Sequence, residues 1–199
     1  MAFFKLPEIK EGENNHSEEA AKMMEDNISI WKFNHLVLGA VAIFVYVGAE
    51  VAIGSFLVNF FGEPDIANMS EAQAGNYISF YWGGAMVGRF LGSYILRKIK
   101  PGNVLGFNAL MASALVIIAM VSNGMIAMWS ILLVGLFNSI MFPTIFTLGV
   151  NKLGAFTKKG SGILIMAIVG GAIIPLIQGV IADEIGIHHA FILPVICYL

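Results

Sequence analysis

The sequence has 199 residues, 58% of them hydrophobic and 12% charged, with a formal net charge of −2 and a mean hydropathy of +0.81. These values exclude a soluble globular domain, in which about 25% of residues are charged. The slight acidity also excludes the basic footprint of a nucleic-acid binder, and the single Cys197 excludes an internal disulfide.

Residues 1–34 contain EIKEGENNHSEEAAKMMEDN, a polar and mainly acidic stretch lying where the apolar core of a secretion signal would fall. We read residues 1–34 as a cytoplasmic linker segment whose acidity serves solvation. A bilayer span then needs about 20 apolar residues. Five runs meet that length, at 35–61, 76–97, 103–122, 125–150 and 162–182, and none alternates as a barrel strand does. A sixth run, AFILPVICYL at 190–199, rises only about 15 Å, half a hydrocarbon core. The expected fold is all-α and integral to the membrane, a transmembrane helical bundle over 35–199 with five complete spans and a truncated sixth.

Basic residues set the expected orientation. Lys5, Lys10, Lys22 and Lys32 precede the first span, Arg97, Lys98 and Lys100 separate the second from the third, and Lys152, Lys158 and Lys159 separate the fourth from the fifth. Alternating spans put all three clusters on one side, so the N-terminus is expected in the cytoplasm. Trp31 and Phe33 suit an interfacial belt at the first boundary. Of the 11 basic residues only Arg89 lies inside a span.

The first span also holds one deep carboxylate, Glu50, in FVYVGAEVAIGSFLVNFF. A charge at that depth costs at least about 2.5 kcal/mol on insertion scales, so it is either paired or used. Glu50 is therefore a substrate or coupling carboxylate, or the partner of Arg89 in a structural ion pair. Asn138 lies near the middle of the fourth span, where an amide offers donor and acceptor to a polyhydroxylated ligand or to a neighbouring helix. Tyr46, one turn from Glu50, and Trp82, at similar depth in the second span, suit either an apolar wall for a sugar ring or plain helix contacts.

Pro143 and Pro175 each remove an N–H and free a carbonyl one turn back, at Ser139 and Gly171. Helix breaks of that kind are tolerated at membrane depth only against protein or a wet cavity. Gly84, Gly88 and Gly92, spaced by four, mark a close helix contact. Gln178 lies towards the outer end, away from the midplane residues. His16, His188 and His189 read as loop residues and His35 as a boundary residue, with no metal-ligand spacing inside a span. The six runs divide into two triplets, each with a midplane polar residue (Glu50, Asn138) followed by a glycine-rich helix, a symmetry found in transporters with inverted repeats.

Three stretches, FVYVGAEVAIGSFLVN, GRFLGSYILRKIKPG and FNSIMFPTIFTLGVNKLG, resemble the fucose and glucose/galactose:proton symporters of the major facilitator superfamily. The resemblance aligns nearly the whole chain with the C-terminal half of those twelve-span carriers, and FFKLPEIKE with the loop joining their halves. It implies uptake of a monosaccharide across the bacterial cytoplasmic (inner) membrane by alternating access, driven by a cation gradient, with the proton as the coupling ion. It also implies that an N-terminal six-helix half is missing. Position 50 is a carboxylate here and an amide in the fucose carriers, which tilts the resemblance towards glucose or galactose. Sodium coupling and a non-transporting interaction or sensing subunit remain as alternatives. An intramembrane enzyme does not fit, because HExxH, GxSxG and any buried Ser/His/Asp set are lacking.

Overall fold

The computed structural model describes residues 29–199. Most of the linker expected at 1–34, including Lys5, Lys10, His16 and Lys22, lies outside the described residues. From Ile30 onward the chain is helical: a short 3-10 turn at Ile30–Lys32, α1 (Asn34–Gly62), α2 (Glu71–Ile95), α3 (Pro101–Val121), α4 (Gly124–Asn138), α5 (Met141–Val150), α6 (Thr157–Met166), α7 (Gly170–Ile185), α8 (Ile187–Ala190) and α9 (Ile192–Tyr198). Two further 3-10 turns, Gly154–Phe156 and Ala167–Val169, flank α6.

Four helical stretches are long and apolar enough to cross a membrane: Asn34–Gly62, Pro101–Val121, Gly124–Val150 and Gly154–Ile185. Helix α2 has the length, with 25 residues, but carries Asn76, Ser79 and Arg89 among several glycines. It also starts five residues before the apolar run at 76–97. A capping box is the reason: the Gln73 side chain accepts from the Ser70 backbone N–H at 3.1 Å and fixes the first turn in polar residues that hydropathy overlooks. The fifth span likewise begins near Gly154 and runs past Asp183 and Glu184 to Ile185, because helices continue into the polar interface beyond their apolar cores. Its end is set by Gly186 at φ +85°, a conformation that side chains resist, whose N–H returns to the Ala182 carbonyl at 2.9 Å.

Helix α1 is the central stave. Leu36, Gly39, Ile43, Tyr46, Ala49, Ile53, Leu57 and Phe60 recur every three or four residues and are buried, and α1 meets α2, α5, α7 and α9. Glycine sets the closest approaches. Gly88 of α2 stands against the Leu136 carbonyl and the Ser139 side chain, and Gly92 against Ile140. The repeat at Gly84, Gly88 and Gly92 thus lies on the contact between α2 and the fourth span, with backbone to backbone where a side chain has no room.

Candidate functional site

Helix α4 stops at Asn138, and the chain turns through Ser139 and Ile140 before α5 begins at Met141. Pro143 occupies the first turn of α5, where a missing N–H costs nothing. Carbonyls stranded by such an interruption need donors, since hydrocarbon supplies none. Ser139 Oγ donates to the Leu136 carbonyl at 2.7 Å, while the Ile140 carbonyl accepts from the Thr144 N–H at 3.1 Å and from Thr144 Oγ1 at 2.6 Å. The Tyr46 hydroxyl reaches over from α1 and donates to the Asn138 carbonyl at 2.8 Å.

The Asn138 side chain then organises the centre of the bundle. Its Nδ2 donates to the Tyr81 hydroxyl at 3.1 Å and to the Tyr198 hydroxyl at 2.8 Å, tying α4 to α2 and α9. Asn138 is 1% exposed, and its Oδ1 is buried without a hydrogen-bond partner. Tyr81 and Tyr198 accept from the amide, so each retains its own O–H proton for another acceptor. Glu50, half-buried one turn beyond Tyr46 on α1, is the nearby carboxylate. The arrangement is one carboxylate beside three phenols bonded to Asn138, two through its side-chain amide and one through its backbone carbonyl, at the depth where the fourth span is interrupted. Such a set can exchange hydrogen bonds with a ligand hydroxyl.

Three expectations need correction. Arg89 forms no ion pair with Glu50: no such contact within 4.0 Å occurs among the described residues. The two residues lie about 9 Å apart along the membrane normal, and Arg89 occupies an exposed side of α2. Pro175 lies inside α7 without ending it; the departure from α geometry comes earlier, at Ala167–Val169. His188 is not a loop residue in water. It sits in α8 with Nε2 2.7 Å from the Ala119 carbonyl and its ring edge-on to Phe60.

Trp82 is 56% exposed and outside the network, whereas its neighbour Tyr81 is fully buried within it. Consecutive helical residues diverge by about 100°, so only one of the two can face α4. Tyr81 and Tyr198 escape sequence reading because a tyrosine among apolar residues carries no signature of its partner. Gln178, expected towards the outer end, is fully buried, with neither Oε1 nor Nε2 bonded among the described residues. Among the described residues no group of three His, Cys, Asp or Glu is placed to hold a metal ion.

A sequence profile of the Major Facilitator Superfamily matches residues 1–167. The chain belongs to that superfamily. Over 198 residues, all of this chain and 47% of the relative, it is 55% identical to the glucose/galactose transporter of Brucella abortus biovar 1 (strain 9-941). It is 33% identical to the L-fucose-proton symporter of Escherichia coli (strain K12) across 93% of this chain and 42% of the relative. The crystal structure of the superfamily transporter FucP in the outward conformation superposes with a TM-score of 0.79 at 34% identity, covering 82% of this chain and 40% of that one. The chain spans about half the length of the curated relatives it matches. It is a multi-pass membrane protein of the superfamily's helical fold, and the relatives are transporters, not enzymes.

The network invites a direct stability measurement. Replacing Asn138 by Leu removes two hydrogen bonds and leaves the Tyr81 and Tyr198 hydroxyls buried without a donor. Interhelical hydrogen bonds in membranes average about 0.6 kcal/mol, and a stranded buried polar group costs about 1–3 kcal/mol. The Asn138→Leu protein is expected to lose about 2 kcal/mol, and Tyr46→Phe about 0.6 kcal/mol. Reversible unfolding in mixed micelles reads both; equal losses would contradict a hub at Asn138.

Proposed function

We propose that this chain is the C-terminal six-helix portion of a secondary active carrier that takes up a monosaccharide, of glucose/galactose or fucose type, by proton symport through alternating access. It resides in the bacterial cytoplasmic membrane with its N-terminus in the cytoplasm, and a six-helix N-terminal half completes it. The observation that carries the reading is Glu50, the one carboxylate placed deep in a span, standing beside the phenols that Asn138 holds at mid-depth. Intramembrane acids mark ion and substrate pathways, and the relatives named as sugar transporters align with the entire chain. In this reading Glu50 and Asn138 serve binding or coupling, Tyr46 steadies the interruption, and the exposed Trp82 is free to meet sugar or the opposing half.

The test is Glu50→Gln in the completed carrier. Sugar accumulation is expected to fall about tenfold, equivalent to about 1.4 kcal/mol, with membrane insertion unchanged. Accumulation and affinity equal to the parent would end the assignment of Glu50. A second reading is a non-transporting interaction or sensing subunit. Uptake measured with and without an N-terminal half separates the two.

A further inference from the structure

At the end of the bundle that carries Arg97, Lys98 and Lys100, a groove of 490 Å³ opens between α2 and α3, with the end of α4 as its floor. Its walls are carbon, from Leu91, Ile95, Ile99, Val104, Phe107 and Phe137. Leu91 and Phe107 are 55% and 58% exposed, so the groove is open along its length. It lies apart from the Asn138 network, and nothing in the sugar reading uses it.

Two observations define its occupant. The first is charge. Arg97, Lys98 and Lys100 are all exposed in the turn that joins α2 to α3, interleaved in sequence with the lining residues Ile95, Ile99 and Asn103. Lys98 Nζ lies over the Tyr94 ring at 4.7 Å from its centre. From Ala72 to Ala182 the sequence has no Asp or Glu, so apart from Glu71, at the opposite end of α2, no carboxylate on α2 through α6 is there to neutralise them. The second is Asn108. It lines the groove at 7% exposure, and its amide makes no hydrogen bond with a described residue. It stands about 10 Å along α3 from Pro101, too deep for headgroup water. An unpartnered amide there calls for a polar group that arrives with the occupant.

A molecule that satisfies all of this has a long apolar tail, ester carbonyls above the tail and a negative charge at its head. We propose that the groove seats one acyl chain of an anionic glycerophospholipid. Its phosphate lies against Arg97, Lys98 and Lys100, and an ester carbonyl accepts from the Asn108 amide. Basic pockets between transmembrane helices bind anionic headgroups by this combination of charge and apolar seat.

Native mass spectrometry of the full chain in detergent tests the site, with phosphatidylglycerol and phosphatidylcholine of identical acyl chains supplied in equal amounts. Phosphatidylglycerol is expected to be retained about tenfold over phosphatidylcholine. The triple variant Arg97→Gln, Lys98→Gln, Lys100→Gln should abolish that preference. Leu91→Trp, which fills the groove from an exposed position and leaves every charge in place, should abolish it too. Lys152→Gln, Lys158→Gln, Lys159→Gln should keep it. Equal retention of the two lipids by the parent, or an undiminished preference in either the first triple variant or Leu91→Trp, overturns the proposal. The second result would mean attraction to a basic surface with no seat for the chain. Loss in the Lys152, Lys158 and Lys159 variant would also overturn it, by moving the site elsewhere.

Discussion

Liposomes holding the purified 199-residue chain are expected to show no saturable, stereoselective counterflow of labelled glucose, galactose or fucose above empty liposomes. Adding a matching six-helix N-terminal half is expected to restore it. Alternating access needs two bodies rocking about a site between them, and the proposed carrier has only one of them in this chain. Two copies facing each other would bring two Glu50 carboxylates to one cavity, where like-charge repulsion in a poorly hydrated space opposes assembly. Stereoselective exchange by the chain alone would show that repulsion overcome and make a homodimer the carrier. Exchange that stays absent with the N-terminal half supplied would favour the interaction-subunit reading.

The second large effect is expected at Gly170. A Cβ there would land on the Phe44 carbonyl oxygen and lie 2.7 Å from the Phe44 carbonyl carbon. Backbone cannot swing aside as a side chain can, so Gly170→Ala must push α7 away from α1. Gly48, which faces the Ile174 Cβ at 2.7 Å from its own would-be Cβ, sets the same spacing two residues before Glu50. Overpacking typically costs about 1–3 kcal/mol, and the upper end applies because both strained partners are helix backbones. We expect Gly170→Ala to lose about 3 kcal/mol, a fall of roughly 9 °C in Tm for a chain of this size. Gly54→Ala is the control: nothing lies within 4 Å of its would-be Cβ, and alanine is the better helix former by about 1 kcal/mol. Its Tm is expected to match or exceed the parent. If both variants melt with the parent, α1 and α7 are not held at backbone contact.

The sequence by itself determined the class of molecule and the depth of its polar groups. Apolar runs as long as a bilayer is thick leave a helix as their sole way to satisfy backbone hydrogen bonds, so the helices between Asn34 and Ile185 were legible from composition and length alone. Depth followed from a fixed rise per residue, which put Tyr46, Glu50 and Asn138 near one level before any packing was known. The spacing of Gly84, Gly88 and Gly92 announced a close contact for the same reason, since four residues return to one helix face.

Tertiary structure alone decided which of these groups meet. Depth says nothing about azimuth, and lateral position depends on every helix contact at once. Glu50 and Arg89, opposite in sign and near in depth, therefore looked like partners, yet no ion pair joins them. Trp82 was the conspicuous aromatic, but a rotation of about 100° gives the buried position to Tyr81. Tyr198 enters from a short terminal helix and completes the Asn138 hydrogen bonds from the other side. The interruption of the fourth span lies at Ser139 and Ile140 because the Tyr46 hydroxyl, contributed from 92 positions away in sequence, satisfies the carbonyl it exposes. A hydrogen bond over that separation exists only once α1 and α4 are packed, and packing is a property of the whole bundle.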